Sequence, residues 1–230
     1  MFFWDPTFII LIPGLILAFW AQSKVSSTFQ RYLRVSSRKG YTGAEVAREL
    51  LRANGVYDVS VEMIRGHLTD HYDPRHKVIR LSPEVYNGTS LASVGVAAHE
   101  TGHALQHHHE YFPLQLRNSL VPVANFGSNL AFPLFFIGFL FQSQFGLTLM
   151  NLGILLFSAA LLFQVLTLPV ELNASNRAIA MLSAQGIIAR DEEGGARKVL
   201  SAAAWTYVAA VAMAALQLIR LLVLRGYRDE

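Results

Sequence analysis

The chain has 230 residues, 53% of them hydrophobic and only 15% charged, with a mean hydropathy of +0.35. Water-soluble domains carry about 25% charged residues, so this composition is that of a membrane protein. The absence of cysteine excludes disulfides and thiolate metal sites, and a net charge of +3 makes no case for a nucleic-acid partner.

Four apolar stretches are legible. The first, at residues 1–21, reaches crossing length only when Phe2 to Pro6 are included, and it contains Asp5 and Pro13. No basic run precedes it and no small-x-small cleavage site follows, so it is expected to be a membrane crossing and not a signal peptide. The others, at 120–141, 147–170 and 202–224, are long enough to cross a hydrocarbon core of ~30 Å at about 1.5 Å per residue. Charge predicts their orientation. Lys24, Arg31, Arg34, Arg38 and Lys39 follow the first stretch, which puts the N-terminus outside and segment 22–119 in the cytoplasm. The uncharged connection at 142–146 reads as an outside turn. Arg177, Arg190, Arg197 and Lys198 put segment 171–201 inside again. The last stretch carries Arg220 near its end and is followed by Arg225 and Arg228, so it is expected to be transmembrane or interfacial.

Residues 22–38 are amphipathic, with Val25, Phe29, Tyr32, Leu33 and Val35 among basic residues. They predict either a helix lying on an anionic leaflet or a continuation of the first crossing. Thr42-Gly43-Ala44-Glu45 is a capping box opening a helix that stops near Asn54-Gly55. From Asp58 the pattern alternates through Val59, Val61 and Met63. Residues 67–73 and 77–81, with a turn at Asp73-Pro74 between them, predict two further short strands. Three strands before a metal-binding helix is the order found in zincin proteases, where the edge strand pairs with an extended substrate. Residues 77–81 are expected to be that edge strand, an ordinary scaffold strand being the alternative. His71 and His76 have two readings, substrate contact or hairpin surface.

A helix is predicted over 90–107, apolar on most sides through Ala92, Val94, Val96, Ala97 and Ala98, and therefore buried. It carries His99-Glu100-Thr101-Gly102-His103. Two imidazoles four residues apart on a helix lie about 6 Å apart along the axis and roughly 40° apart in azimuth, so they can clamp one metal ion. Glu100 follows the first imidazole, where it can hold a metal-activated water. Chance gives roughly 0.01 such motifs in a chain of this composition. His107, His108 and His109 read as a solvated helix end, because His99 and His107 are about 12 Å apart along the axis.

A catalytic zinc has three protein ligands and an open position. Glu171, 68 residues after His103 and on the same predicted side, is the expected third ligand; the alternative is a glutamate that marks the end of the third crossing. Asn173 is a group that could hold a ligand in place, or a helix-surface amide. Asp191, Glu192 and Glu193 read as the start of the last helix.

The runs Thr42 to Ala47, Asp70 to Arg75, Ala97 to Ala104 and Pro169-Val170-Glu171, with Ala204 to Ala209 late in the chain, make the sequence similar to the YugP-like bacterial membrane zinc metallopeptidases. More distantly it resembles HtpX and the CAAX prenyl proteases. The resemblance implies one Zn2+ per chain held by His99, His103 and Glu171, with Glu100 as general base. The pattern in that group more often has Asp where this chain has Asn173.

The expectation is therefore an α-helical integral membrane protein with about four transmembrane helices and a small cytoplasmic α+β zincin-like domain of the gluzincin type. It would be multi-pass in the bacterial plasma membrane, with its active site toward the cytoplasm. Its activity would be metalloendopeptidase cleavage of membrane-associated or misfolded proteins. Its partners would be the bilayer and a peptide or membrane-protein substrate, with no nucleic acid; a regulatory membrane partner or self-association stays open. The alternative is a zinc-binding membrane scaffold or regulator without turnover. A transporter is disfavoured, because all eight histidines lie between His67 and His109, outside the apolar stretches.

Overall fold

The computed structural model describes residues 6–227. The start of the first predicted segment, with Asp5, and Arg228 lie outside the described residues. The chain is mostly helical with one small sheet, in the order 3-10 helix Pro6–Leu11, α1 Ile12–Leu33, α2 Gly43–Ala53, β1 Ser60–Met63, β2 His71–Asp73, β3 Val78–Leu81, α3 Pro83–Tyr86, α4 Leu91–His108, α5 Phe112–Leu140, α6 Gln144–Ala184 and α7 Glu193–Gly226. Among the described residues, four helical segments, Pro6–Leu33, Phe112–Leu140, Gln144–Ala184 and Glu193–Gly226, are long and apolar enough to cross a membrane.

The chain divides into two compact units. One comprises residues 6–21, 116–168 and 206–227. Its inner cluster is Phe135, Met150 and Leu221, all fully buried, with Phe132 and Phe157 edge-to-face at 5.4 Å. Its exterior is also apolar. Phe19 is 80% exposed and Leu155 66%, alongside Ile16 and Phe126. Bare aromatic and aliphatic side chains spread over a surface of this size are what a lipid environment accommodates and water does not.

The other unit comprises residues 22–115 and 169–205 and contains the sheet. Its first helix begins as the sequence predicts. Thr42 Oγ1 accepts from the Glu45 backbone N–H at 3.2 Å, and Glu45 Oε2 accepts from the Thr42 N–H at 2.8 Å, closing both halves of the capping box. Gly55, at φ +74°, supplies the left-handed residue that ends the element. Val46, Leu50 and Leu51 form the buried face of α2.

The three strands are ordered β1-β3-β2, with β1 parallel to β3 (Ser60 beside Val78) and β2 antiparallel to it (His71 beside Arg80). This corrects the expectation for residues 77–81. They form the central strand, hydrogen-bonded on both sides, and cannot accept an extended substrate. The edges are β1 and β2. Val78, Ile79 and Leu81 are buried, as a central strand over helices requires. The middle predicted strand is also shorter than expected, His71–Asp73 within 67–73, because Leu68 at φ +54° and Gly66 at φ +116° turn the chain before it.

Helices run further than the apolar stretches that announced them. α1 continues to Leu33, so residues 22–33 extend the first apolar helix. Phe29 is buried in a cluster with Leu51, Val56 and Ile79, so this face packs on protein. α6 continues to Ala184, which turns the start of the predicted 171–201 segment into helix. Hydrophobicity marks where a helix enters an apolar environment; it does not mark where its backbone hydrogen bonds stop.

Candidate metal centre

α4 starts at Ser90, whose Oγ accepts from the Ser93 N–H at 3.0 Å, and runs through the unit with Ala92, Val94, Ala97 and Ala98 fully buried. Ionisable side chains on so enclosed a helix must find partners. His99 and His103 stand one turn apart with ring centroids 4.7 Å apart, edge to face. Their Nε2 atoms lie 3.3 and 3.4 Å from the same atom, Oε2 of Glu171 on α6. One ligand atom from each of the three residues falls within 4.8 Å of the others.

Glu171 is 4% exposed, and its Oε2 is buried with no hydrogen-bond partner. The imidazole nitrogens stand 3.3 and 3.4 Å from it. A carboxylate oxygen left this way costs on the order of 1–3 kcal/mol or more. A cation between the three groups removes that cost. Atoms bonded at 2.0–2.1 Å to one tetrahedral ion lie roughly 3.3 Å from each other, close to the two distances here. The donor set therefore fits zinc.

α4 and α6 approach closely enough for this because residue 102 is glycine. A Cβ there would stand 2.7 Å from the Ala174 carbonyl oxygen. Ala174 is itself fully buried, so no side chain larger than hydrogen fits without moving His99 and His103 away from Glu171.

Each imidazole is held from behind. Ser175 Oγ lies 3.1 Å from His99 Nδ1, and Gln106 Oε1 lies 3.0 Å from His103 Nδ1. Asn173 does not touch a ligand directly; its Oδ1 accepts from Gln106 Nε2 at 3.0 Å. The sequence reading singled out neither Gln106 nor Ser175. Both were findable, since Gln106 is three residues after His103 and Ser175 four after Glu171, the spacings that share a helix face. Burial disfavours the His103 cation, but the Glu171 and Glu100 carboxylates outweigh it and hold its pKa above the ordinary histidine value.

Glu100 is 8% exposed, and the hydrogen bonds at the site go to the imidazoles and not to its carboxylate. Asp70 is its electrostatic neighbour. Burial pushes the Asp70 carboxyl up despite hydrogen bonds from Ser82 N–H (2.7 Å) and Oγ, and the Glu100 charge adds to the rise.

The remaining histidines are accounted for by other partners. His107 Nδ1 is 2.8 Å from Tyr72 Oη, and burial pushes that phenol up to about 12, so it stays protonated. His108 and His109 are exposed, as a solvated helix end requires. His71 Nδ1 meets the Thr69 carbonyl at 2.8 Å and His76 Nδ1 meets Asp73 at 2.7 Å, which makes them turn and hairpin groups. At the start of α7, Glu192 accepts from the Ala189 and Arg38 N–H groups and Asp191 pairs with Arg38, matching the helix-start reading. Among the described residues no other His, Asp or Glu trio gathers as closely as His99, His103 and Glu171.

Two imidazoles and a carboxylate on two packed helices, with a second glutamate following the first imidazole, define the class of zinc hydrolases built on H-E-x-x-H. The chain belongs to the family described as "Putative neutral zinc metallopeptidase", which it matches over residues 7–226. It is 52% identical over 222 residues to the "Putative membrane protease YugP" of Bacillus subtilis (strain 168), an alignment covering 96% of this chain and 97% of that protein. No solved structure matches the chain.

Proposed function

We propose that this protein is a zinc metalloendopeptidase of the bacterial plasma membrane that cleaves membrane-associated or misfolded proteins at the cytoplasmic face. The observation that carries it is the buried, unpartnered Oε2 of Glu171, flanked by two imidazole nitrogens, with Glu100 on the same helix. His99, His103 and Glu171 would hold the ion. A zinc ion held there would supply a Lewis acid for a scissile carbonyl and would lower the pKa of water. The Glu100 carboxylate would serve as general base toward the attacking water and then as general acid toward the leaving amine. Its enclosure keeps the transfer local and excludes bulk solvent. β2 takes the part expected of residues 77–81. It is a sheet edge alongside α4, with Tyr72 on His107 and Asp70 beside Glu100, so an extended peptide that pairs with it lies along the motif helix.

Protein purified in detergent should hold one zinc per chain and cleave an unfolded or membrane-protein substrate. Bound zinc with no cleavage of any such substrate would favour the scaffold alternative. The proposed orientation, N-terminus outside and the sheet-bearing segment inside, has a background-free test because the chain lacks cysteine. A cysteine replacing Tyr57, which is 81% exposed, should escape a membrane-impermeant thiol reagent on intact cells and react once they are permeabilised. Labelling on intact cells would reverse the topology.

A further inference from the structure

We propose that Gln106, locked by Asn173 and Arg177, is a positioning residue that forces His103 into the one tautomer able to bind metal through Nε2. This deepens, and rests on, the assignment of His103 as a zinc ligand. The chain of hydrogen bonds has only one consistent direction. Arg177 Nε can only donate, and it lies 2.8 Å from Asn173, so the Asn173 atom facing it is the oxygen. The Val170 carbonyl can only accept, and it lies 2.8 Å from Gln106, so the Gln106 atom facing it is the amide nitrogen. That NH2 group is shared between Val170 O and Asn173 Oδ1, which leaves Gln106 Oε1 against His103 Nδ1 at 3.0 Å. An amide oxygen cannot donate, so Nδ1 must carry the proton. In the neutral ring that binds metal, Nε2, on the Glu171 side, then keeps its lone pair.

Gln106 is fully buried, which makes this arrangement hard to escape. Flipping its amide would set the single Gln106 oxygen against two acceptors, Val170 O and Asn173 Oδ1, and an NH2 against the proton of Nδ1. Arg177 is held in turn by the Tyr111 ring, 5.7 Å from its guanidinium carbon, and by His109 Nδ1 at 3.4 Å. The imidazole of His99 has only a serine hydroxyl behind it, and a hydroxyl both donates and accepts, so His99 is not forced in the same way.

The test is zinc affinity together with the visible spectrum of the cobalt(II)-substituted protein, which reports ligand geometry independently of turnover. Gln106→Leu should raise the zinc Kd by roughly 10–100-fold and alter the cobalt spectrum. Asn173→Leu should weaken zinc by about 10-fold. Asn173→Asp keeps an acceptor for both Gln106 Nε2 and Arg177 Nε, and should stay within about 3-fold of wild type. The asparagine pair covers the case in which Gln106→Leu does not fold. Folded Gln106→Leu or Asn173→Leu protein with wild-type zinc Kd and cobalt spectrum overturns the inference while leaving the metal centre standing. Wild-type protein that takes up no zinc overturns the underlying assignment instead.

Discussion

Glu100→Gln should leave a folded protein with its full complement of zinc and a cleavage rate lowered by about 10²–10⁴-fold, the range that general acid–base catalysis contributes. The substitution keeps the shape of the side chain and removes its basicity. Glu100 is not among the three groups that converge on one point, so the metal should stay. Folding should survive as well. Glu100 and Asp70 are neighbouring carboxylates, and removing one charge relieves the repulsion that helps raise the Asp70 pKa. Turnover and zinc content measured on the same preparation are the check. A variant that binds zinc and cleaves at the wild-type rate would sink the mechanism; one that loses zinc would make Glu100 a ligand.

Glu171→Ala should strip the metal. Structural zinc sites with four ligands are worth about 10–16 kcal/mol, or roughly 3 kcal/mol per ligand, so losing one should weaken binding by about 10²-fold or more. His99→Ala should do the same, since both residues converge on the point that one ion would occupy. The measurement is zinc retained after dialysis against a weak chelator. The outcome that counts against the assignment is one zinc per chain in Glu171→Ala. The third ligand would then lie among the other carboxylates, and Asp70 is the one the structure places beside Glu100.

The local part of the site was legible without coordinates. His99, Glu100 and His103 are joined by helical periodicity alone, and α4 begins at Ser90 as the pattern predicts. Glu171 was reachable through a different kind of reasoning. It is a carboxylate at the end of an apolar stretch, costly there without a partner, and the charge pattern put it on the side of the motif. The structure brings it within 3.4 Å of both imidazoles. Asn173, read from sequence as a group that could hold a ligand in place or as a helix-surface amide, contacts Gln106, which stands between it and His103.

What the sequence by itself determined is set by neighbours along the chain. Composition marked an apolar protein, alternation marked strands, the capping box and Gly55 bounded α2, and the four-residue spacing made half a metal site. These follow from 3.6-residue and two-residue periodicities and from the cost of leaving backbone donors unsatisfied. What only the tertiary structure decided is set by residues far apart in the chain. Strand order is one case: the pattern predicts a strand at 77–81, but only pairing with both β1 and β2 makes it central and leaves those two as the edges. The approach of α4 to α6 is the other. Gly102 against Ala174 permits it, and Gln106 bonds across it to Val170 and Asn173, so the approach of Glu171 to the two imidazoles depends on a helix contact that no local pattern encodes.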